Sequence, residues 1–142
     1  YNIFVIIISK VLSILCGGHN MYEVIFYQDN RGRSPVKDFL GKLQSKAKTN
    51  KQAKQLYKKF ILYIEVLAQS GTRAGLPYTR YIGNGIWELR PKDYRVFFFG
   101  WDGNKIVLLH TCRKTTQKTP QKEIDKAIKE MADWIKNGKN RL

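Results

Sequence analysis

The chain has little of what staples or metallates small proteins: two cysteines, Cys16 and Cys112, and two histidines, His19 and His110, in 142 residues. The cysteines lie in apolar company, without a Cys-x-x-Cys or Cys/His ligand spacing. That pattern supports neither a disulfide framework nor a zinc site and fits a reducing, cytoplasmic setting. Two histidines far apart in sequence are too few for an evident metal centre, so no metal or cofactor is expected. Acidic residues are also scarce, with 11 Asp and Glu against 26 Lys and Arg and a formal charge of +15. An excess of that size points to a polyanionic partner, nucleic acid before a membrane surface. The one long apolar run, Ile3 to Cys16, is broken by Ser9, Lys10 and Ser13. It is short for a transmembrane helix and lacks a basic leader or small-residue cleavage signal, so no membrane association is expected. Residues 1–20 are read as an apolar N-terminal extension whose native status the sequence leaves open. Residues 21–142 are read as one domain, with Met21 a natural start.

What is present divides into recognisable elements. Val24 to Tyr27 is rich in strand formers and ends in a turn cluster at Gln28 to Gly32. Ser34-Pro35 supplies an N-cap and a first-turn proline, after which Val36, Phe39, Leu40 and Leu43 fall at helical spacing. Ala53, Leu56, Tyr57, Phe60, Ile61, Ile64 and Leu67 trace one face of a long helix that stops at Ser70-Gly71, and its opposite face is rich in lysine. Ile86 to Arg90, Tyr94 to Trp101 and Lys105 to Arg113 read as an antiparallel meander turning at Pro91 to Asp93 and at Asp102 to Asn104. Thr119-Pro120 then predicts the cap of a last helix carrying Ile124, Ala127, Ile128, Met131, Trp134 and Ile135. The order is β-α-α-β-β-β-α. This is an α+β fold, a small antiparallel or mixed sheet covered on one face by a helical hairpin, with a C-terminal helix.

Alternation along the strands places Ile86, Glu88 and Arg90 on one face and Trp87 and Leu89 on the other, under the helices. Arg95 shares a face with Phe97 and Phe99. If the strands pair so that Glu88, Arg90, Arg95 and Arg113 converge, a proton acceptor lies beside several phosphate binders, which is what gripping or cutting an RNA backbone requires. The plainer readings are a cross-strand ion pair for Glu88 and Arg95, core packing for Phe97 to Phe99, a satisfied core histidine for His110 and a solvated lysine face. Arg113 to Lys118 is a second basic stretch, placed where a loop could close over a phosphate.

Several of these segments resemble a known family. Trp87-Glu88-Leu89-Arg90, Tyr94-Arg95-Val96, Leu108-Leu109-His110, Lys114-Thr115-Thr116-Gln117-Lys118-Thr119-Pro120 and the upstream Gly71 to Tyr78 are similar to the HigB-like, phage-derived Gp49-like branch of the RelE/ParE toxin superfamily. The similarity runs from about Met21 to Met131. It implies a RelE-like fold and the toxin of a type II toxin-antitoxin pair, a metal-free mRNA endoribonuclease that inhibits translation, with the ribosome as its expected setting. Implied partners are messenger RNA, the ribosome and a helix-turn-helix antitoxin of the HigA kind, with operator DNA bound only through the toxin-antitoxin complex. The resemblance implies Glu88, Arg90, Arg95, Arg113 and Lys114 as the catalytic set, with Glu88 the candidate base, Arg95 and Arg90 the phosphate clamps, Arg113 or Lys114 the stabiliser near the leaving group, and Tyr94, Lys114 and His110 all open as the acid. Arg73, Arg80, Tyr94, Lys118, Lys58 and Lys59 are the expected RNA contacts. The alternatives are a gyrase-targeting ParE-like toxin, which shares the fold without the catalytic set, and a non-catalytic RNA-binding module.

Overall fold

A computed structural model describes residues 21–141. The apolar stretch at 1–20, with Cys16 and His19, lies outside the described residues. Strand β1 (Glu23–Phe26) leads to helix α1 (Pro35–Ala47), whose first-turn proline lacks only an N–H that would have no helical partner. Ser34, expected to cap α1 with its side chain, instead donates its hydroxyl to the Tyr27 carbonyl at 2.8 Å and so fastens the helix start to the end of β1. Helix α2 (Lys51–Ser70) is capped by the Asn50 side chain, which accepts the Ala53 N–H at 3.0 Å, and it ends at Gly71, φ 58°.

A 3₁₀ turn (Gly71–Ala74) precedes four consecutive strands: β2 (Thr79–Gly83), β3 (Ile86–Leu89), β4 (Tyr94–Trp101) and β5 (Lys105–Arg113). Helix α3 (Gln121–Asn137) and a short 3₁₀ turn (Gly138–Arg141) close the described chain. The sheet order is β1-β5-β4-β3-β2, with β1 parallel to β5 and every other pairing antiparallel. The α+β class and the mixed sheet are those expected, and the meander has one strand more than the sequence reading gave it. Asn84 and Gly85, at φ 55° and 80°, form the tight turn that adds β2.

The two sheet faces carry different layers. Val36, Leu40, Phe60, Ile64 and Leu67 of the helical hairpin pack on Leu89, Val96, Phe98 and Leu108. On the other side Ala127 and Trp134 of α3 cover Ile86, Phe97, Phe99, Val107 and Leu109. Each of the large apolar side chains removed from water contributes about 1.5–3 kcal/mol, and Phe97 and Phe99 belong to this core rather than to a base-stacking platform. Thr119, expected to cap α3, falls outside the helix: Pro120 is the capping residue and Gln121 the first helical one. The register between β4 and β5 shifts where Val96 pairs with Thr111 but Phe98 pairs with Leu108. Leu109 and His110 therefore both lie opposite Phe97, and this bulge directs His110 toward α3.

Candidate active site

Alternation from Leu89, which faces the hairpin, sends Glu88 to the α3 side of the sheet, and the pairing of Arg95 with Cys112 sends Arg95 the same way. At that end α3 has not yet begun, and the chain between β5 and α3 lines a cleft of about 690 Å³ with Lys92, Asp93, Arg95, Lys114, Thr115, Thr116 and Gln117. Glu88 sits behind the cleft at 2% exposure, with Oε1 at 3.6 Å from Arg90 Nε and 3.8 Å from Arg95 Nε. Its other oxygen, Oε2, accepts the Thr119 hydroxyl at 2.9 Å. Arg95, itself 7% exposed, anchors one amino group on the carbonyls of Lys92 (3.0 Å) and Tyr94 (2.7 Å).

Cation crowding shapes the chemistry of this end. Burial first, and then the neighbouring Arg90, pull the Arg95 pKa below its usual value. Lys114 is likewise lowered, by burial and then by Arg95, with Glu88 opposing and Arg90 and Arg80 adding to the effect. Arg80 is brought in by β2, where it pairs directly with Glu88 in the β2–β3 register. An amine held among guanidiniums gives up its proton more readily than a solvated lysine does.

Three of the four groups expected to converge do so, and Arg113 does not. Its side chain is 66% exposed and donates from Nε to Asp93 Oδ2 at 2.8 Å, and that bond holds the Asp93 carboxyl below the usual carboxylate range. Tyr94 turns to the opposite sheet face, its ring 5.5 Å from Phe39 and 5.6 Å from Phe60. His110 is buried with Nε2 at 2.8 Å from Glu123 Oε2 and Nδ1 in contact with Glu130, so both ring nitrogens are committed to α3. Arg73 lies exposed on the 3₁₀ turn after α2, and Lys118 is exposed on the cleft loop, where its carbonyl accepts the Thr116 hydroxyl at 2.7 Å. Lys59 lies over the Tyr63 ring, whereas Lys58 joins Lys48, Lys51 and Lys54 around a groove of about 510 Å³ at the α1–α2 corner. The sequence reading missed Thr119 and Asp93 as side chains that organise this end. Thr119 was assigned to the helix cap, and the Asp93 partnership depends on β4–β5 register, which pairs Tyr94 with Arg113.

The sequence model of the phage-derived Gp49-like protein family matches residues 47–132, more than half of the chain and a span holding Glu88, Arg90, Arg95, Lys114 and Thr119. The chain belongs to the Gp49-like family. This is a HigB-like toxin family of the RelE/ParE superfamily, so the Gp49-like chain described here is a RelE/HigB-like toxin. No curated protein matches it. Among the described residues no helix is long and apolar enough to cross a membrane, and no group of three His, Cys, Asp or Glu side chains is arranged to hold a metal ion.

Proposed function

We propose that this Gp49-like toxin is an endoribonuclease that cuts messenger RNA, with the ribosome as its setting, and thereby stops translation. The observation that carries the reading is the Arg90–Glu88–Arg95 cluster, whose Arg95 lines an open, cation-lined cleft that also receives Lys114. Cleavage by the RNA itself begins when the ribose 2′-hydroxyl attacks the adjacent phosphate. A new 2′-oxygen–phosphorus bond forms, the bond to the 5′-oxygen breaks, and the first oxygen loses a proton while the second gains one. Arg95 and Arg90 supply the positive charge for the crowded phosphorane. Lys114, charged and eased toward proton release by burial and Arg95, gives its proton to the departing 5′-oxygen, while the 2′ proton passes to solvent. Glu88, the base suggested by resemblance, is buried behind its arginines and bonded to Thr119, so its role here is to orient the two guanidiniums rather than to touch RNA. A helix-turn-helix antitoxin that silences the toxin, and represses the operon together with it, is part of the same proposal.

The test is primer extension on translated messenger RNA with wild type beside Arg95→Lys and Arg95→Ala. Lysine keeps the charge but loses the two-pronged donor geometry, so cleavage should fall about 100-fold with Arg95→Lys and vanish with Arg95→Ala. Thermal melts run alongside matter because Arg95 is buried, and Arg95→Lys should retain a cooperative transition. Full cleavage by both variants would overturn the assignment. A DNA-damage response on induction, without transcript cutting, would favour a gyrase poison.

A further inference from the structure

Thr119 lies outside α3, and its hydroxyl is the hydrogen-bond donor that the described residues offer to the Glu88 carboxylate. Glu88 Oε1 stands 3.6 and 3.8 Å from the Nε atoms of Arg90 and Arg95, beyond hydrogen-bonding reach. Neither Nε has a hydrogen-bond partner among the described residues, although both are buried. An unconstrained guanidinium and carboxylate close to about 2.7–2.9 Å, and buried donors are almost always satisfied. Two orphaned donors aimed at one carboxylate that stops short of both indicate that something restrains the carboxylate. The bond that restrains the carboxylate is the 2.9 Å one to Thr119, whose backbone is fixed by entry into α3 at Pro120, while the carbonyls of Lys92 and Tyr94 hold Arg95 from its own side.

We propose that Thr119 is a positioning residue that holds the Glu88 carboxylate back from Arg90 and Arg95, keeping both guanidiniums under-coordinated and available to a phosphodiester. Glu88 is then near enough to set the direction of the two forks and too far to saturate them. An arriving phosphate meets Arg95 where it lines the cleft, so the positive charge that Glu88 leaves uncompensated becomes binding energy for RNA. Violations of local satisfaction are expected where a site must keep donors for a ligand. The proposal rests on the nuclease reading only for what happens after binding.

The experiment pairs Thr119→Val, which keeps the shape and removes the hydroxyl, with Thr119→Ser, which restores a hydroxyl. The probe is a mixed-sequence 2′-O-methyl RNA oligonucleotide, which binds as a phosphodiester and has no nucleophilic hydroxyl. In Thr119→Val, Glu88 should close on the arginines. The Nε–H resonances of Arg90 and Arg95 should then move downfield, oligonucleotide Kd should rise about tenfold, and KM for cleavage should rise with kcat within about threefold. Thr119→Ser should return all three toward wild type, and in a Glu88→Gln background the Thr119→Val change should have no further effect, since no charge remains to be pulled in. Unmoved Nε–H resonances with wild-type Kd in Thr119→Val would overturn the proposal, as would equal losses in the Val and Ser variants. If Thr119→Val does not fold, Thr119→Ala is read by the same measurements. Should wild type bind the oligonucleotide and respond to these substitutions but cut no RNA, the positioning role stands and the nuclease reading falls.

Discussion

Cys112 reports on the site from the strand next door. It pairs with Arg95 across the β4–β5 register, and burial, reinforced by Glu123 and Glu88 and opposed by Arg95, pushes its thiol up to about 11. The thiolate is the reactive form, so a raised pKa means slow alkylation at neutral pH. In the folded protein the iodoacetamide rate at the Cys112 peptide, followed by mass spectrometry, should climb about tenfold per pH unit from 7 toward 11, whereas an ordinary thiol levels off near about 8.5. Because Arg95 favours the thiolate, Arg95→Ala should lower the rate further at any pH in that range. A plateau near pH 8.5 in native protein would mean that Cys112 does not sit in the desolvated strand position described. The same residue scale explains why the proposed mechanism gives proton transfer to Lys114 and not to Arg113. Lys114 has burial and guanidiniums pressing on its charge, while Asp93 raises the pKa of Arg113 and holds its proton in place.

At the scale of elements, the fixture of α3 depends on one histidine. His110 reaches α3 because the bulge opposite Phe97 turns it there, and Glu123 and Glu130, about two turns apart on one face of the helix, hold its two ring nitrogens. Replacing it with leucine leaves two carboxylates facing an apolar strand without a partner, so His110→Leu should destabilise the fold by about 3 kcal/mol, while the double variant with Glu130→Leu should recover part of that loss. Urea unfolding of the two variants measures it, and additive losses would show that the contact contributes no coupling. The long helices and strands β1, β3, β4 and β5 were legible in the sequence because period and end signals agreed, as at Pro35 and Gly71. Strand β2 was passed over although Asn84-Gly85 is a strong two-residue hairpin signal, since Thr79–Gly83 carries one aliphatic side chain, Ile82, and no apolar alternation. Alternation alone placed Glu88 and Arg90 on one face, and the antiparallel pairing of β3 with β4 brings Arg95 to them. The bulge at His110, the exit of Arg113 to Asp93 and the bond from Thr119 to Glu88 depend on register and on where α3 begins, and no single-strand pattern encodes either.

For the whole molecule the decisive quantity is where the charge lies. Between Asp38 and Glu65 the chain carries seven lysines and no acidic residue. Lys42, Lys46, Lys48, Lys51, Lys54 and Lys58 are exposed along the hairpin and its corner. Lys51 and Lys54 stand in the first turn of α2, which contains no acid, so they oppose the positive end of the helix dipole. A placement that costs stability in isolation becomes favourable against a phosphate backbone, and the α1–α2 corner offers a groove for one. Phe60 of α2 packs on Tyr94, on the sheet face opposite Arg95, so the lysine-bearing hairpin lies across the sheet from the cleft, with Lys51 about 14 Å along the helix from Phe60 at 1.5 Å per residue. RNA binding should therefore divide into a cleft contribution that sets cutting and a hairpin contribution that sets grip. Replacing Lys51, Lys54 and Lys58 with glutamate should reduce the slope of log Kd against log salt by about 2–3 and weaken ribosome association, since each lost phosphate contact removes about 0.7–0.9 from the slope. Arg95→Lys, which keeps its charge, should leave that slope nearly unchanged while cutting falls about 100-fold. Sedimentation with ribosomes across a salt series distinguishes the two, and a triple-glutamate variant with the wild-type slope would place the gripping charges elsewhere on the molecule.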